Sequence, residues 1–250
     1  MSFNFLITRE ITSKISRILD NFLPPVIRDN RLFMTPLFYL AYGRRLARQV
    51  MDFKQFAHTL SPESYSSLYD AYSHCPLGRR YTDLNAASLR RIGSLIRGNK
   101  VLDAGCGRGA LIKHLDLNIA GLQLTASDVV LPPPEHRLNH VEWTQANLES
   151  LPFPDQSFDT VLCTHTLEHV QNLPAALQEL RRVMRHRLII VLPRQRPYQY
   201  SFDLHLRFYP YSHSLQADFP IHRCRIELID GDWLIWEDRQ EPECATFSDN

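Results

Sequence analysis

Three alternate glycines in the middle of the chain indicate a ligand-binding turn. Residues 100–115 read Lys-Val-Leu-Asp-Ala-Gly-Cys-Gly-Arg-Gly-Ala-Leu-Ile-Lys-His-Leu, so that an apolar segment is followed by Asp103, Gly105, Gly107 and Gly109, and then by an amphipathic segment. Glycine has no Cβ and tolerates positive φ, which lets such a turn lie against a ligand. The helix that follows points its free N–H groups at the same turn. The pattern predicts a nucleotide-type site between a strand and a helix.

Further polar residues with chemical potential follow the later apolar segments. Asp128 comes about twenty residues after the turn, where a carboxylate can accept hydrogen bonds from both hydroxyls of a ribose. His165 follows the apolar run 158–164, and His205 lies in the segment Asp-Leu-His after residue 193. Either histidine could serve as a general base for a hydroxyl substrate, with His165 the first candidate. Each could equally be a hydrogen-bonded structural residue.

The elements that must position these residues alternate between strands and helices. We predict strands at 121–127, 140–144, 158–164 and 187–192 besides the one at residue 100, and a helix at 174–184 whose first turn carries proline. Residues 226–230 and 232–236 are typical of a hairpin that turns at Gly231. Residues 1–60 show helical spacing of apolar residues, and a further helix begins at Ser61-Pro62-Glu63.

Several strings resemble one enzyme family. Val-Leu-Asp-Ala-Gly-Cys-Gly-Arg-Gly resembles motif I of the class I S-adenosylmethionine-dependent methyltransferases. Ala-Asn-Leu-Glu-Ser-Leu-Pro-Phe-Pro-Asp-Gln-Ser-Phe-Asp, continuing into Thr-Val-Leu-Cys-Thr-His-Thr-Leu-Glu-His-Val, is similar to the ubiquinone/menaquinone-type subgroup. The resemblance covers residues 98–195. It implies S-adenosylmethionine as cofactor, bound by Asp103, Ala104, Gly105, Gly107, Gly109, Asp128, Asn147, Leu148, Thr164 and His165.

Asn147 departs from the family pattern, which has aspartate at this position. Its side-chain oxygen can still accept a hydrogen bond from an adenine amino group, so the change removes a charge and keeps an acceptor. Tyr81 and Asn85 precede motif I, in a segment that often folds over the cofactor in this family. Each is as well explained as a packed aromatic residue or a helix cap.

The resemblance also implies a fold and a domain organisation. We expect an α/β, Rossmann-like, doubly wound and mostly parallel seven-stranded sheet with an antiparallel last strand, preceded by a helical cap. The expected boundaries are 1–97 for the cap, 98–240 for the methyltransferase domain and 241–250 for a flexible tail.

The substrate is less closely defined than the cofactor. Arg194, Arg196, Tyr198 and Arg207 follow the fifth strand, where open α/β sheets bind substrate, and could hold a sugar, phosphate or carboxylate. Short segments near both ends are similar to methyltransferases of surface-polysaccharide synthesis. We therefore expect methyl transfer to a small molecule or glycan, with O-methylation favoured. The alternatives are a quinone or lipid acceptor, and a partner protein that binds S-adenosylmethionine without catalysis.

Composition narrows the remaining choices. The net charge of +1 over 250 residues gives no general attraction to nucleic acid. Five scattered cysteines and no recognised metal-ligand spacing argue against a disulfide framework and a metal site, although a site from Asp203, His205 and His213 is conceivable. No signal peptide or long apolar run is evident, so a cytoplasmic location is expected. The aromatic and arginine-rich residues 22–48 favour packing on the catalytic domain or on a second subunit, with peripheral membrane contact as the alternative.

Overall fold

A seven-stranded sheet forms the centre of the protein. The computed structural model describes residues 23–73, 82–220 and 222–239. The strands are β1 (Lys100–Ala104), β2 (Gln123–Asp128), β3 (Glu142–Gln145), β4 (Phe158–Thr164), β5 (Met184–Pro193), β6 (Arg225–Ile229) and β7 (Asp232–Asp238). Their order is β3-β2-β1-β4-β5-β7-β6.

Strand direction confirms the predicted doubly wound sheet. Strands β1 to β5 pair in parallel, whereas β7 is antiparallel to both β5 and β6. Strand β7 therefore starts at the edge where the parallel strands end, which brings Asp232 to the edge that carries the site. Residues Gly231 and Asp230 make the turn of the predicted hairpin, and both have positive φ.

Helices cover both faces of this sheet. They are α4 (Ala86–Leu95), α5 (Ala110–Asn118) and α6 (Leu173–Val183), with short helical turns at Pro134–His136 and α7 (Ser212–Leu215). The Asn172 side chain accepts the N–H of Ala175 at the start of α6, beside Pro174 in the first turn. The sequence predicted that this helix would include Met184, but Met184 already pairs with Phe158 as the first residue of β5.

The N-terminal residues form a helical cap with an apolar core of its own. Its elements are α1 (Pro25–Arg28), α2 (Arg31–Phe56), a 3-10 turn (Ala57–Thr59) and α3 (Pro62–Ser73). Helix α2 is bent at Gly43, where φ is +69°. Buried residues of α2, among them Met34 and Phe38, pack with Tyr200 and Leu204 from the segment after β5.

Arg28 fastens this cap to the rest of the chain. The Arg28 side chain is 1% exposed, donates to the carbonyl oxygen of Tyr200 and lies 4.7 Å from the centre of the Tyr198 ring. The core of the cap thus contains residues from after β5 as well as from the N-terminal helices. The domain boundary at residue 97 stays a prediction. The first predicted helix up to residue 22, Tyr81 and the predicted tail lie outside the described residues.

Within the described ranges, the helices are all too short or too polar to span a lipid bilayer.

Candidate functional site

A cavity of about 650 Å³ opens where β1, β2 and β4 end. Its floor is the glycine turn between β1 and α5 together with the first residues after β2 and β4. Its other wall comes from Tyr65, Tyr69 and Tyr72 of α3 in the cap and from Leu84, which packs with the core of the sheet. The volume is within the range of about 300–1,000 Å³ typical of small-molecule sites.

The three glycines of the turn differ in what a side chain at each position would contact. All three have positive φ, which disfavours other residues. A Cβ on Gly105 would overlap the side chain of Thr166, and one on Gly109 would overlap Trp143. A Cβ on Gly107 would meet no atom within 4 Å of the described structure, because this residue borders the cavity. Gly107 is thus the place where bare backbone faces a ligand.

Asp103 is a buried carboxylate without a hydrogen-bonding partner among the described residues. It is 1% exposed, and neither of its oxygens has a hydrogen-bonding partner among the described residues. Burial, and then the neighbouring Asp128 carboxylate, raise the pKa of Asp103 to about 7. Since an unpaired buried acceptor is unfavourable, the lining position of Asp103 suits a ligand with a cationic donor, such as the ammonium group of S-adenosylmethionine.

Asp128 holds the turn and still offers acceptors. Its Oδ2 accepts the N–H of Gly107 at 2.8 Å, and its Oδ1 accepts the N–H of Val130 at 3.1 Å. A carboxylate oxygen can accept two hydrogen bonds, so both oxygens remain able to accept from ribose hydroxyls. Asn147 is similar, because its Oδ1 accepts the N–H of Glu149 at 3.0 Å and keeps one lone pair.

The charge of the cavity favours a cationic ligand. Six acidic residues are among those that line it, whereas Lys113, Arg108 and the His165 ring supply positive charge. In a cleft with low-dielectric walls, such an excess of one sign concentrates ligands of the opposite sign. A sulfonium cofactor with an ammonium group matches this field. The six are Asp70, Asp83, Asp103, Asp128, Glu149 and Asp203.

His165 lies between two carboxylates and is poorly suited to act as a base. Its Nδ1 is 3.6 Å from Glu168 Oε1, and its Nε2 is 3.4 Å from Asp232 Oδ2. Burial alone would lower the pKa of His165, but pairing with Asp232 and Glu168 raises this pKa to about 10. The ring is then an imidazolium at neutral pH, and it holds the loop after β4 against the start of β7.

His205 is placed beside a second histidine. Its Nδ1 lies 2.6 Å from Gln195 Oε1, and its Nε2 is 4.0 Å from Glu168 Oε1. The His169 ring stands edge-on to it at 4.6 Å, and His169 Nδ1 lies 2.9 Å from the carbonyl oxygen of Leu204. The orientation of His205 by Asp203 stays a prediction, and the contact of Nδ1 with Gln195 fixes one side of the ring.

The predicted residues are brought together at the cavity for the cofactor but not for the substrate. Eight of the ten predicted cofactor residues line it: Asp103, Gly105, Gly107, Asp128, Asn147, Leu148, Thr164 and His165. The other two, Ala104 and Gly109, are buried behind the turn.

The four residues predicted to bind substrate are absent from the described lining of the cavity. Tyr198 packs under Arg28, and Arg207 donates to the carbonyl oxygens of Val170 and Gln171. Arg194 Nε donates to the carbonyl oxygen of Pro210 at 3.1 Å, and Arg196 is exposed. The basic and aromatic composition of this segment thus reflects contacts within the fold, so placing these residues at the acceptor site is not supported.

Sequence reasoning missed the tyrosines of the cap. Tyr69 lines the cavity, and its hydroxyl has no hydrogen-bonding partner in the described part of the chain. Tyr65 donates its hydroxyl hydrogen to the carbonyl oxygen of His169. The signal was the spacing of Tyr65, Tyr69 and Tyr72, which places all three on one helix face. Asn85, the weak cofactor candidate, caps α4 by accepting the N–H of Ser88.

Comparison with known proteins places the same region in one group. Residues 102–192 match a protein-family profile described as a methyltransferase domain. The O-methyltransferase rstn1 of Aspergillus nomiae is 32% identical over 107 residues, covering 38% of this chain and 48% of that protein. The ubiquinone/menaquinone biosynthesis C-methyltransferase UbiE of Hahella chejuensis is 34% identical over 102 residues, covering 35% and 39%.

The chain therefore spans less than half the length of each of these relatives. Among solved structures, a SAM-dependent methyltransferase described as a possible histamine N-methyltransferase, from Thermotoga maritima, aligns with a TM-score of 0.48 and 16% identity. This alignment covers 75% of this chain and 98% of that one.

Proposed function

We propose that the protein is a class I, S-adenosylmethionine-dependent methyltransferase that methylates a hydroxyl oxygen of a small molecule or glycan, because residues 102–192 match a methyltransferase domain. The observation that carries the proposal is the pairing of Gly107, whose missing Cβ leaves room for a ligand, with Asp103, whose buried carboxylate lacks a partner among the described residues. Asp128 and Asn147 supply acceptors further along the same cavity.

The residues of the chain chiefly hold and orient the two reactants. S-adenosylmethionine supplies an electrophilic methyl group on a positively charged sulfur. In such a transfer the acceptor oxygen would bond to the methyl carbon, the carbon–sulfur bond would break with its electron pair remaining on sulfur, and the hydroxyl proton would pass to water. Alignment of donor and acceptor can contribute several kcal/mol to such a step. Asp103, Gly107 and Asp128 would fix the donor, and Tyr69, His169 and His205 face the space left for the acceptor.

A polar acceptor is favoured by Tyr69 in the lining of the cavity. The Tyr69 hydroxyl there has no hydrogen-bonding partner among the described residues, and buried polar atoms of this kind are normally satisfied by a ligand or by water. A hydroxyl-bearing acceptor can meet this need, whereas an apolar one cannot. The relatives named above include both O- and C-methyltransferases, so the preference for oxygen rests on this residue chemistry.

The first test is calorimetric titration with S-adenosylmethionine, S-adenosylhomocysteine and NAD. We expect binding of the first two and none of NAD, because the glycine spacing differs from the dinucleotide pattern. Transfer of a labelled methyl group to panels of sugars, phenols and quinones then identifies the acceptor class. If S-adenosylmethionine binds but no labelled methyl group is transferred, either to a panel member or to any compound in a cell extract, the result would favour the non-catalytic partner protein. Absence of cofactor binding would contradict the proposal.

An amphiphilic acceptor at a membrane surface is the second candidate. Leu32 and Leu40 are 86% and 67% exposed on α2, near Val26 at 77%, and Arg44 and Arg45 follow on exposed positions. An apolar stripe beside basic residues suits the interface of an anionic bilayer. Sedimentation with anionic vesicles should then retain the protein, and Leu40→Glu should weaken retention. Leu117→Glu is the matched control, since Leu117 is 82% exposed on α5.

A further inference from the structure

Two histidines and a glutamate converge beside the cavity. Glu168, His169 and His205 each offer one ligand atom, and these atoms all lie within 4.8 Å of one another. His169 and His205 line the cavity, and Glu168 lies directly behind them. The three come from two loops, the one after β4 and the one after β5, so their convergence is a product of the fold and not of a local sequence pattern.

Glu168 gives the second, independent indication. Its side chain is 1% exposed, and neither carboxylate oxygen has a hydrogen-bonding partner in the described part of the chain. The nearest ring nitrogens are those of His165 at 3.6 Å and His205 at 4.0 Å. Buried carboxylates are normally hydrogen-bonded, closely paired or bound to a metal. The distances at Glu168 leave room for a cation.

Both histidines are oriented as metal ligands are. Nδ1 of His169 faces the Leu204 carbonyl oxygen at 2.9 Å, and Nδ1 of His205 faces Gln195 Oε1 at 2.6 Å. A histidine that donates its Nδ1 hydrogen to an oxygen carries its lone pair on Nε2, and metal-binding histidines commonly have such an oxygen partner. In each ring, Nε2 is then the atom that can serve as the ligand.

We propose that Glu168, His169 and His205 bind a divalent first-row transition-metal ion, which holds the oxygen atom of the methyl acceptor. Imidazole favours ions such as Zn²⁺, Fe²⁺ and Ni²⁺ over Mg²⁺, and a set of two histidines and one carboxylate leaves further coordination positions open. Since ligand distances to such ions are about 2.0–2.2 Å, one ion spans donor atoms up to about 4.3 Å apart, and small side-chain rotations close the set.

The role of the ion rests on the proposed function, whereas its binding does not. An ion bound here takes up the Nε2 lone pair of His205, so that His205 acts as a ligand and not as the base predicted from the sequence. By withdrawing electron density from the acceptor hydroxyl, the ion makes its proton easier to lose to water as the carbon–oxygen bond forms. The sequence predicted no metal because the ligands are spread over 38 positions (168 to 205).

The test begins with ion binding to the tag-free full chain after treatment with a chelator. We expect one equivalent of Zn²⁺ by elemental analysis, little retention of Mg²⁺, and visible absorption bands when Co²⁺ is added. Glu168→Gln, His169→Gln and His205→Gln should each weaken Zn²⁺ binding by about tenfold or more. His213→Gln is the matched control, because His213 is exposed on α7 and should leave binding unchanged.

Titration with S-adenosylhomocysteine separates this proposal from the proposed function and shows that each variant is folded. Zn²⁺ binding that is absent, or equal in all four variants, would overturn the metal site even where S-adenosylhomocysteine still binds. Zn²⁺ bound by a chain that does not bind S-adenosylhomocysteine would refute the methyltransferase function and leave the metal site standing. Equal methyl-transfer rates with and without the ion would overturn its role at the acceptor.

Discussion

At the scale of single residues, Gly107 is needed both for the positive φ of the turn and for the space that its missing Cβ leaves in the cavity. Its φ is +51°, and a Cβ would extend into open space that belongs to the cavity. We expect Gly107→Val to abolish binding of S-adenosylhomocysteine, because the branched side chain would occupy the ligand's place. Isothermal calorimetry of the folded variant measures this.

Gly121 supplies the control for backbone strain. It has φ of +80° and also no atom within 4 Å of a built Cβ in the described structure, but it is not among the described lining residues. Gly121→Val therefore introduces comparable strain without filling the cavity, and it should bind the ligand normally. An equal loss of affinity in both variants would show that strain, and not occupancy, causes the effect.

Asp103 makes cofactor affinity depend on pH. Because burial and Asp128 raise the pKa of Asp103 to about 7, this group is increasingly protonated below pH 7 and loses its attraction for an ammonium ion. Affinity should fall by up to about tenfold for each pH unit below 7. Asp128 and the thiols of Cys106 and Cys163 are the other titratable groups coupled to Asp103, and the pKa values of both thiols are raised.

The control ligand for this experiment is methylthioadenosine, which has no ammonium group. Its affinity should not fall in this way, and Asp103→Asn should abolish the pH dependence for S-adenosylhomocysteine. The stability of the ligand-free protein should change with pH in the direction opposite to the cofactor affinity. Since the folded state binds the Asp103 proton more tightly than the unfolded state does, this group's contribution to stability decreases as pH rises from about 4 to 7.

The residues of the site differ in how far the sequence determines them. The turn at 103–109 and Asp128 could be predicted because their positions are fixed by local spacing next to a strand end. Glu168 and Tyr69 could not, because their surroundings depend on loops and on cap helices from distant parts of the chain. The position of Arg194 and Arg207 away from the described cavity lining has the same origin, since their partners are backbone carbonyls that no side-chain pattern reveals.

At the scale of secondary-structure elements, Asp159 ties the start of β4 to the start of β1. Its Oδ2 accepts the N–H groups of Asn99 and Lys100, each at 3.0 Å, and its Oδ1 pairs with Arg185 at 3.0 Å. Asp159→Ala leaves these donors without a partner and should cost about 1–3 kcal/mol in the free energy of unfolding. Urea denaturation monitored by circular dichroism measures this cost.

Asp159→Asn is the informative companion variant, because it keeps an acceptor and loses the charge. It should be less destabilised than Asp159→Ala, and equal effects would assign the whole contribution to the ion pair with Arg185. The strand pattern itself was predicted well, since β4 is buried along nearly its whole length and reads as an apolar run. Element ends were less accurate, as at Met184, because strand pairing decides where α6 stops.

At the scale of the whole molecule, Arg28 connects the cap to the chain that follows β5. We expect Arg28→Met to leave the Tyr200 carbonyl oxygen without its donor and to speed hydrogen exchange in residues 25–56 and 198–206, while β1 and β4 stay protected. Hydrogen-exchange mass spectrometry measures this change. Arg91→Met is the control, since Arg91 pairs with Glu227 outside the cap and its loss should not affect exchange in these two segments.

The packing of the cap on the segment after β5 could not be predicted from the sequence, because residues 1–97 and 98–240 were treated as separate units. The apolar stripe of the cap was visible, but its partners Tyr200 and Leu204 come from a segment whose composition suggested substrate binding. Faster exchange of residues 25–56 without any change at 198–206 would show that the two segments do not open together.

The hydrogen bond from Tyr65 to the carbonyl oxygen of His169 has a kinetic consequence. It links a helix of the cap to the loop that carries Glu168 and His169, so the cap cannot lift from the cavity without breaking a bond beside the cavity. The rate of product release would then be limited by the same activation barrier as local opening of the cap. Urea well below the unfolding midpoint should accelerate product dissociation, and Tyr65→Phe should give the same acceleration in its absence.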